Sequence, residues 1–152
     1  MDITKIIQQI QYVLAPAIMI SSSALLLLGF HNKFSNLANR FRSLNQEKRA
    51  LAAKPQKDAV EEARFRNLTE QVDQLMRRAT YVKNAILATY LGIVCFAGTS
   101  ILIFLNIYAS FQFYTCIYAV FAMGLIFILA SCAFMIMETN VFYKIMVLEK
   151  KS

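Results

Sequence analysis

Two long stretches without charge flank a strongly charged middle in this chain of 152 residues. The first uncharged stretch covers residues 6–32 and the second covers residues 84–137. A bilayer core about 30 Å thick takes about 20 apolar residues for each helical crossing. The first stretch is long enough for one crossing and the second for two. The pattern therefore predicts an all-α membrane protein with three transmembrane helices, built as a single domain.

Local signals set the limits of the three predicted spans. TM1 runs from about residue 12 to 30, with Pro16 near its outer end, where a proline disturbs a helix least. TM2 runs from about residue 84 to 106, and TM3 from about 112 to 137. The link between TM2 and TM3, residues 106–112, is short, so these two spans must be antiparallel neighbours. Glu138 marks the return to polar surroundings and the start of a short C-terminal tail.

The first uncharged stretch has a second interpretation as a secretory signal peptide. The residues before it include Asp2 and Lys5, so the basic n-region of such a peptide is missing. Ala15 and Ala17 do bracket Pro16, but cleavage there would leave a strongly apolar N-terminus, and no small-x-small site lies directly before the charged segment. We therefore expect this stretch to remain in the protein as a span.

The charged middle segment, residues 31–83, carries a helical pattern of its own. Pro55 predicts a turn near residues 53–58, after which a second helix begins with Asp58 as its N-cap. Apolar positions on both sides of the turn follow the 3,4 spacing of helices that pack along a coiled-coil seam. The segment is predicted to be an antiparallel helical hairpin whose arms continue TM1 and TM2. The predicted seam residues are Phe34, Leu37, Phe41, Leu44, Leu51, Phe65, Leu68, Val72 and Leu75.

Charge predicts the orientation of the chain in the membrane. Residues 33–83 contain 12 Lys and Arg against 6 Asp and Glu, a net charge of 12 − 6 = +6. Because basic segments stay on the cytoplasmic side, residues 31–83 and the C-terminus are expected inside and the N-terminus outside. The basic residues are interspersed with acids, as on a solvated helical face, so nucleic acid is not an expected partner.

The residue types that carry catalysis or bind metals are scarce. His31 is the only histidine, which excludes a histidine cluster or a Ser/His/Asp set within one chain. The three cysteines all fall in predicted spans without a C-x-x-C spacing, and the four glycines form no phosphate-binding loop. The sequence therefore predicts no enzymatic activity, no metal and no cofactor.

Three consecutive serines, Ser21, Ser22 and Ser23, lie in the middle of TM1. Successive residues of a helix point about 100° apart, so one helix face cannot hold all three hydroxyls. The serines either line a pore or ligand site, or bond to carbonyls of their own helix and permit close packing, with Ala17 and Ser21 as a small-xxx-small pair. A face of small residues on TM2 is the predicted packing partner of TM1: Ala85, Ala88 and Gly92.

Glu138 is the only acid attached to the spans. It lies at the predicted depth of Lys33 and Lys83, which favours an ion pair across the helix ends over proton or cation transport. Neighbouring polar residues would complete an inner polar layer, which in an oligomer could form a cytoplasmic vestibule. The residues of this layer are His31, Asn32, Lys33, Lys83, Asn84, Glu138 and Asn140.

Several elements together resemble the DUF2721 family of bacterial membrane proteins of unknown function. A proline-containing first span with serines is followed by a polar triplet, an Arg-x-Arg-x-Leu element, an arginine pair and a late glutamate. The matching residues are Leu14-Ala15-Pro16, Ser21 to Ser23, Leu25 to Leu28, His31-Asn32-Lys33, Arg40-Phe41-Arg42-Ser43-Leu44, Arg77-Arg78 and Glu138. Lys33 stands where an arginine is usual, and a lysine lacks the bidentate fork of arginine. The resemblance implies the three-span topology and a bacterial inner (plasma) membrane, but no mechanism.

Two functions from different classes fit these patterns. The leading hypothesis is a non-enzymatic membrane protein that self-associates and presents the hairpin to itself or to a cytosolic or membrane protein partner. The alternative is a homo-oligomeric ion channel whose pore is lined by TM1, with Ser21 to Ser23 as its polar constriction. An accessory subunit of a larger membrane complex is a third, weaker hypothesis.

Overall fold

The computed structural model describes residues 3–53, 58–108 and 114–151. Three helices account for nearly all of them: α1 (Ile3–Ala52), α2 (Ala59–Tyr108) and α3 (Tyr114–Lys151). Each helix is long and apolar enough to cross a membrane. This confirms the prediction of an all-helical chain with three membrane-compatible helices.

The helices extend well beyond the apolar stretches from which they were predicted. α1 and α2 have 50 residues each, which corresponds to about 75 Å, more than twice the thickness of a bilayer core. α1 passes through Gly29 without a break, because a single glycine costs a helix only about 1 kcal/mol. α3 likewise continues past Glu138 to Lys151, since neither proline nor glycine follows to end it.

The start of α2 agrees with the predicted N-cap. The helix begins at Ala59, and the carbonyl of Asp58 accepts a hydrogen bond from the amide of Glu62 at 3.0 Å. The amide of Asp58 donates to Glu61 Oε2 at 3.4 Å, which is the return half of a capping box. α1 ends at Ala52, and most of the predicted turn near residues 53–58, Pro55 included, lies outside the described residues.

α2 is the central helix, because both α1 and α3 pack against it. Along α1 and α2, Glu47 lies opposite Arg64, and Leu37 packs in one cluster with Leu75. Residue numbers therefore increase along α1 as the numbers of the contacting residues in α2 decrease, so the two helices run antiparallel. α3 is antiparallel to α2 in the same way.

Buried positions recur at every seventh residue along all three helices. We call these positions the heptad row. A strict seven-residue repeat keeps one side of each helix on its neighbour and imposes a left-handed supercoil. The row runs through the apolar stretches and the charged segment alike. Its buried members are Pro16, Ser23, Phe30 and Leu37 in α1, Leu68, Leu75, Val82, Thr89 and Phe96 in α2, and Gly124, Ser131 and Glu138 in α3.

Most residues of the predicted seam are at least partly covered. Leu37, Leu68 and Leu75 are buried, whereas Phe34 remains 37% exposed. Phe34 lies about 60° around the helix from Leu37. Because Leu37 faces α2, Phe34 points partly away from α2. The remaining seam residues have intermediate exposure: Phe41, Leu44, Leu51, Phe65 and Val72.

Glycines bring α2 and α3 close together within the apolar stretches. A Cβ atom on Gly124 would lie 2.8 Å from Phe96 Cε1, and one on Gly92 would lie 3.3 Å from the carbonyl oxygen of Gly124. The small face of α2 was predicted to pack on α1, and for Gly92 this was wrong, since its neighbour is α3. α2 has a partner on two sides, and residue size alone does not say which partner a small residue meets.

Candidate functional site

The most polar buried group in the described residues is the carboxylate of Glu138, which lies in the heptad row of α3 and is fully buried. Arg78 of α2 donates a hydrogen bond from Nε to Glu138 Oε1 at 2.9 Å, and its Nη2 atom forms an ion pair with the same oxygen at 2.8 Å. Lys33 of α1 forms an ion pair with Glu138 Oε2 through its ammonium group. The carboxylate thus joins all three helices through one cation from each of the other two. We call Lys33, Arg78 and Glu138 the charge triad.

The two ion pairs of the charge triad differ in how deeply they are buried. The side chain of Arg78 is 13% exposed and that of Lys33 is 36% exposed. A buried carboxylate without a partner costs several kcal/mol, so Glu138 needs its cations. Arg78 supplies a charge-assisted hydrogen bond and an ion pair in shielded surroundings, whereas the pair with Lys33 is partly screened by solvent. Arg78 is therefore the stronger partner, and the triad carries one excess positive charge.

The heptad row places the triad. Lys33 precedes Leu37 by one helical turn, Arg78 precedes Val82 by one turn, and Glu138 belongs to the row itself. Leu37 and Val82 belong to one apolar cluster that also includes Leu75, with Phe41, Leu44, Ile86 and Met135 packed against it. An apolar cluster next to the triad lowers the local dielectric and strengthens both ion pairs.

The sequence predicted this site only in part. The predicted pairing of Glu138 with a lysine at its depth holds for Lys33, whereas Lys83 is exposed and Arg78 lies at the carboxylate instead. The carboxylate of Glu138 does lie among polar groups, those of Lys33 and Arg78, but the sequence did not predict its full burial, which arises because α3 turns this residue towards α2. A signal for Arg78 was present: it lies between Leu75 and Val82, on the side of α2 that carries the seam.

The other residues of the predicted inner polar layer lie on the surface of the chain and do not form one cluster. His31 is exposed, with its Nδ1 atom 2.9 Å from the carbonyl oxygen of Leu27 and its ring edge-on to Tyr90. Four further members of the layer lie on exposed or partly exposed surface: Asn32, Lys83, Asn84 and Asn140. Of the predicted set, Lys33 and Glu138 form an ion pair.

The structure separates the three serines of α1. Each hydroxyl donates to the carbonyl four residues earlier in its own helix, at 3.2 Å for Ser21, 2.9 Å for Ser22 and 2.7 Å for Ser23. Ser23 is 2% exposed and belongs to the heptad row, whereas Ser21 and Ser22 are exposed. Two hydroxyl-bearing side chains therefore lie on the outer surface of α1, and one lies in the helix interface.

A cavity of about 520 Å³ opens where the three helices reach the far end of the bundle from the charge triad. Its lining is apolar and aromatic, with a few uncharged polar groups. The lining residues are Tyr12, Ala15, Pro16, Thr99, Ile103, Asn106, Ile107, Tyr114, Ile117, Tyr118 and Phe121. We call this space the outer cavity.

Groups that could hold a metal are absent from the described residues, where no three His, Cys, Asp or Glu side chains come together. Cys95, Cys116 and Cys132 are free thiols. A polar groove of about 590 Å³ is lined by Asp73 and Arg77 among others, but these two already pair with each other at 3.3 Å. The charge triad and the outer cavity are thus the candidate sites that the described residues offer.

One family model matches the chain over residues 13–146, and its description reads protein of unknown function (DUF2721). The match includes all three residues of the charge triad. Neither the curated proteins nor the solved structures give a match. Since the family model covers most of the sequence, the chain belongs to the DUF2721 family.

Proposed function

We propose that this protein is a non-enzymatic protein of the bacterial inner membrane that self-associates and presents a helical hairpin to the cytoplasm. The hairpin consists of the charged portions of α1 and α2, and it meets a second copy of the chain or a partner protein. The observation that carries the proposal is the continuity of the heptad row from the membrane spans into these arms. A net charge of +6 over residues 33–83 supports the cytoplasmic side.

Continuity of the seam makes the arms an extension of the spans. The same side of α1 that packs within the bilayer at Ser23 and Phe30 packs in the arm at Leu37. The charge triad ties α3 to both helices at the level where the charged segment begins. Packed helices transmit displacement as rigid elements, so association of the arms would displace the spans. Movement of the spans would in turn displace the arms.

The far end of the arms has weaker contacts that depend on the seam. Glu47 accepts a hydrogen bond from Arg64 Nε at 2.9 Å, and the ammonium of Lys48 lies 5.5 Å from the centre of the Phe65 ring. Exposed ion pairs and cation–π contacts contribute about 1 kcal/mol or less each. The arms are therefore held mainly by the apolar seam and by their attachment to the membrane.

Apolar and small side chains outside the seam supply the surfaces for association. In the arms, Val60 is 79% exposed and Met76 is 53% exposed, so both apolar side chains are accessible to another protein. Within the membrane, Ala17 and Ser21 lie on the exposed side of α1 with small-xxx-small spacing. Such a pair allows a helix of a second copy to approach closely.

Oligomeric state in lipid nanodiscs, measured by native mass spectrometry, tests the proposal. We expect the native chain to form dimers or higher oligomers. Ser21→Leu should shift the population towards monomer, because a large side chain blocks the close approach of helices. Ser22→Leu makes the same change one residue further around the helix and should leave the population unchanged. A native chain that is monomeric in every lipid composition refutes self-association.

A second experiment uses a variant with a shortened hairpin, which the heptad spacing permits. Removing two heptads from each arm, residues 39–52 and 59–72, leaves the remaining seam positions in register. This variant should still insert and keep its helical circular dichroism, yet lose association through the arms. The double variant Val60→Ser, Met76→Ser keeps the arm length and removes the exposed apolar side chains. If both variants associate and capture partners like the native chain, the hairpin has no role in binding.

The exposure of Ser21 and Ser22 favours a second candidate, a homo-oligomeric channel lined by α1. Hydroxyls that donate to their own helix still present oxygen lone pairs to a pore. Ion flux into liposomes should then fall in the double variant Ser21→Ala, Ser22→Ala. Ser23→Ala is the matched control and should conduct normally, because Ser23 faces the helix interface. Absence of flux from the native protein excludes the channel.

A further inference from the structure

The net charge of the hairpin lies entirely in the part next to the membrane spans. Residues 33–46 and 74–83 contain six basic residues and no acid, a net charge of 6 − 0 = +6. Residues 47–73, at the far end of the arms, contain six basic and six acidic residues, a net charge of 6 − 6 = 0. We call the six cations next to the spans the basic belt: Lys33, Arg40, Arg42, Arg77, Arg78 and Lys83.

The fold brings both parts of the basic belt to one level of the bundle. Leu37 of α1 packs in one cluster with Val82 of α2. Lys33 and Arg78 meet at the same carboxylate, that of Glu138. The two segments that carry the belt therefore lie side by side, and their cations share one zone directly beyond the uncharged stretches.

The exposed cations of the basic belt point in several directions. These are Arg40, Arg42, Arg77 and Lys83. With 3.6 residues per turn, Arg40 and Arg42 lie about 160° apart around α1. On α2, Arg77 and Lys83 lie about 120° apart. A protein partner would cover one side of the hairpin, whereas a layer of lipid head groups surrounds it, so the distribution of the cations fits the lipid layer.

Two acids neutralise part of the basic belt. Glu138 lies in the charge triad, and Asp73 pairs with Arg77 at 3.3 Å. The sequence supplies no other acid on these parts of α1 and α2, because residues 3–46 and 74–137 contain none. Six cations and two acids leave a net charge of 6 − 2 = +4 in this zone. The belt therefore has the charge to attract anions from outside the chain.

Three cations of the belt form no ion pair within the described residues: Arg40, Arg42 and Lys83. Lys83 directly precedes the second uncharged stretch, so it adjoins a membrane span. Arg40 and Arg42 lie about 12 and 15 Å along the helix axis from the end of the first stretch at residue 32. Side chains of a helix tilt towards its N-terminus, so both arginines of α1 extend back towards the membrane. At an ionic strength of 0.1 M charges act over about 10 Å, which brings all three cations within range of the head groups.

We propose that the basic belt binds anionic phospholipids of the surrounding membrane, with the phosphates of their head groups at Arg40, Arg42 and Lys83. The ammonium group of Lys33, which is 36% exposed, lies beside them at the edge of the first span. A guanidinium group binds phosphate with two parallel hydrogen bonds, which favours the two arginines as anchors. This inference rests on the proposed membrane placement of the spans but not on self-association, since one chain carries the whole belt.

Native mass spectrometry of chains released from nanodiscs tests the proposal. The nanodiscs contain equal amounts of phosphatidylglycerol and phosphatidylcholine with the same acyl chains in both leaflets, so the orientation of the chain does not affect the result. Both lipids carry a phosphate, but choline neutralises it in phosphatidylcholine. We expect the monomer to retain phosphatidylglycerol at least about five-fold over phosphatidylcholine, the ratio that about 1 kcal/mol from one basic residue at an anionic surface produces. Because the lipids are counted on the monomer, the result is separate from the test of self-association.

Neutralising the three cations without an ion pair should bring the ratio of the two lipids close to one, because the cations that remain in the belt are all in ion pairs. This belt variant carries Arg40→Gln, Arg42→Gln and Lys83→Gln. Exchanging the same residues for the other basic type, in Arg40→Lys, Arg42→Lys and Lys83→Arg, keeps the charge and should keep most of the preference.

A matched control removes the same charge from the far end of the arms, through Arg49→Gln, Arg64→Gln and Arg66→Gln. It should retain phosphatidylglycerol like the native chain. A measurement that needs no variant raises the salt concentration from 0.1 M to 1 M, which shortens the screening length from about 10 Å to about 3 Å and should bring the native ratio close to one. Four outcomes would overturn the proposal: equal retention of the two lipids by the native chain, a native ratio in the belt variant, an equal loss in the control, or a ratio that does not change with salt.

Discussion

Removing Arg78 from the charge triad is the sharpest test of how the three helices are held together. The substitution Arg78→Met keeps a long unbranched side chain and deletes the hydrogen bond and the ion pair that Arg78 makes with Glu138 Oε1. The carboxylate of Glu138, which has no exposure to solvent, then keeps only Lys33. Deleting one partner of a buried ion pair costs about 3–5 kcal/mol, since the remaining charge is left without compensation.

The matched substitution Lys33→Met should cost less. The side chain of Lys33 is 36% exposed, so solvent partly screens its ion pair, and Arg78 keeps its hydrogen bond and ion pair to Glu138 Oε1. Losing Lys33 leaves the buried Oε2 atom of Glu138 without its cation, which costs about 1–3 kcal/mol. At about 2–4 °C per kcal/mol for a chain of this size, Arg78→Met should lower Tm by about 6–20 °C and Lys33→Met by about 2–12 °C.

The free thiols provide the assay. Cys95 and Cys132 are partly buried and become reactive when the bundle opens, so a thiol-reactive fluorescent dye reports thermal unfolding in mild detergent. Cys116 is exposed and would react in the folded state, so the measurements should use a Cys116→Ser background. Helical circular dichroism recorded over the same temperatures checks that dye reactivity follows unfolding.

A triple variant separates the effect of charge from that of lost packing. Lys33→Met, Arg78→Met and Glu138→Leu together remove all three charges and keep apolar side chains of similar length. Replacing a buried ion cluster by apolar residues is often neutral or stabilising by about 1–4 kcal/mol, so the triple variant should recover the Tm lost in Arg78→Met. The reasoning fails if the triple variant stays as unstable as Arg78→Met, or if Lys33→Met is equally damaging.

Two further predictions use the same thermal assay. Gly124→Ala places a Cβ atom 2.8 Å from Phe96 Cε1 and should destabilise the bundle by about 1–3 kcal/mol through overpacking. Gly98→Ala is its control, because the nearest atom lies at 3.9 Å, and a loss of Tm there equal to that of Gly124→Ala would contradict the close packing. In the arms, Leu37→Ala removes a buried side chain and should cost about 2–5 kcal/mol. Phe34→Ala, at a position 37% exposed, should cost less despite removing a larger side chain, and the reverse order would show that Phe34 is covered by a partner.

Much of the fold could be predicted from local patterns. Asp58 was identified as the start of α2 because a cap depends on the few residues that follow it. The 3,4 spacing of the charged segment led to Leu37 and Leu75, which are buried. The same spacing could have been extended into the membrane through Phe30 and Ser23. There every residue is apolar or small, so a contrast of hydrophobicity does not reveal which side of the helix is packed.

The candidate sites were harder to predict, since they depend on distant parts of the chain. Glu138 and Arg78 are 60 positions apart, and their contact requires that α2 and α3 have both the right register and the right rotation about their axes. Gly92 was assigned to the wrong neighbour for the same reason. The outer cavity follows from the spacing between α1 and α3, which no stretch of sequence specifies.

The sequence by itself determined that the chain has three membrane-compatible helices, where α2 begins, and on which side the charged segment is expected. These properties follow from the transfer free energy of consecutive residues and from local capping, both of which add up along the chain. Only the tertiary structure decided that α2 is central, that Glu138 is buried between Lys33 and Arg78, and that a cavity lies between α1 and α3 at the other end of the bundle. Those properties depend on how helices distant in sequence are rotated and aligned against one another. Within an apolar span all sides of the helix have similar hydropathy, so the sequence does not indicate which side faces a neighbouring helix.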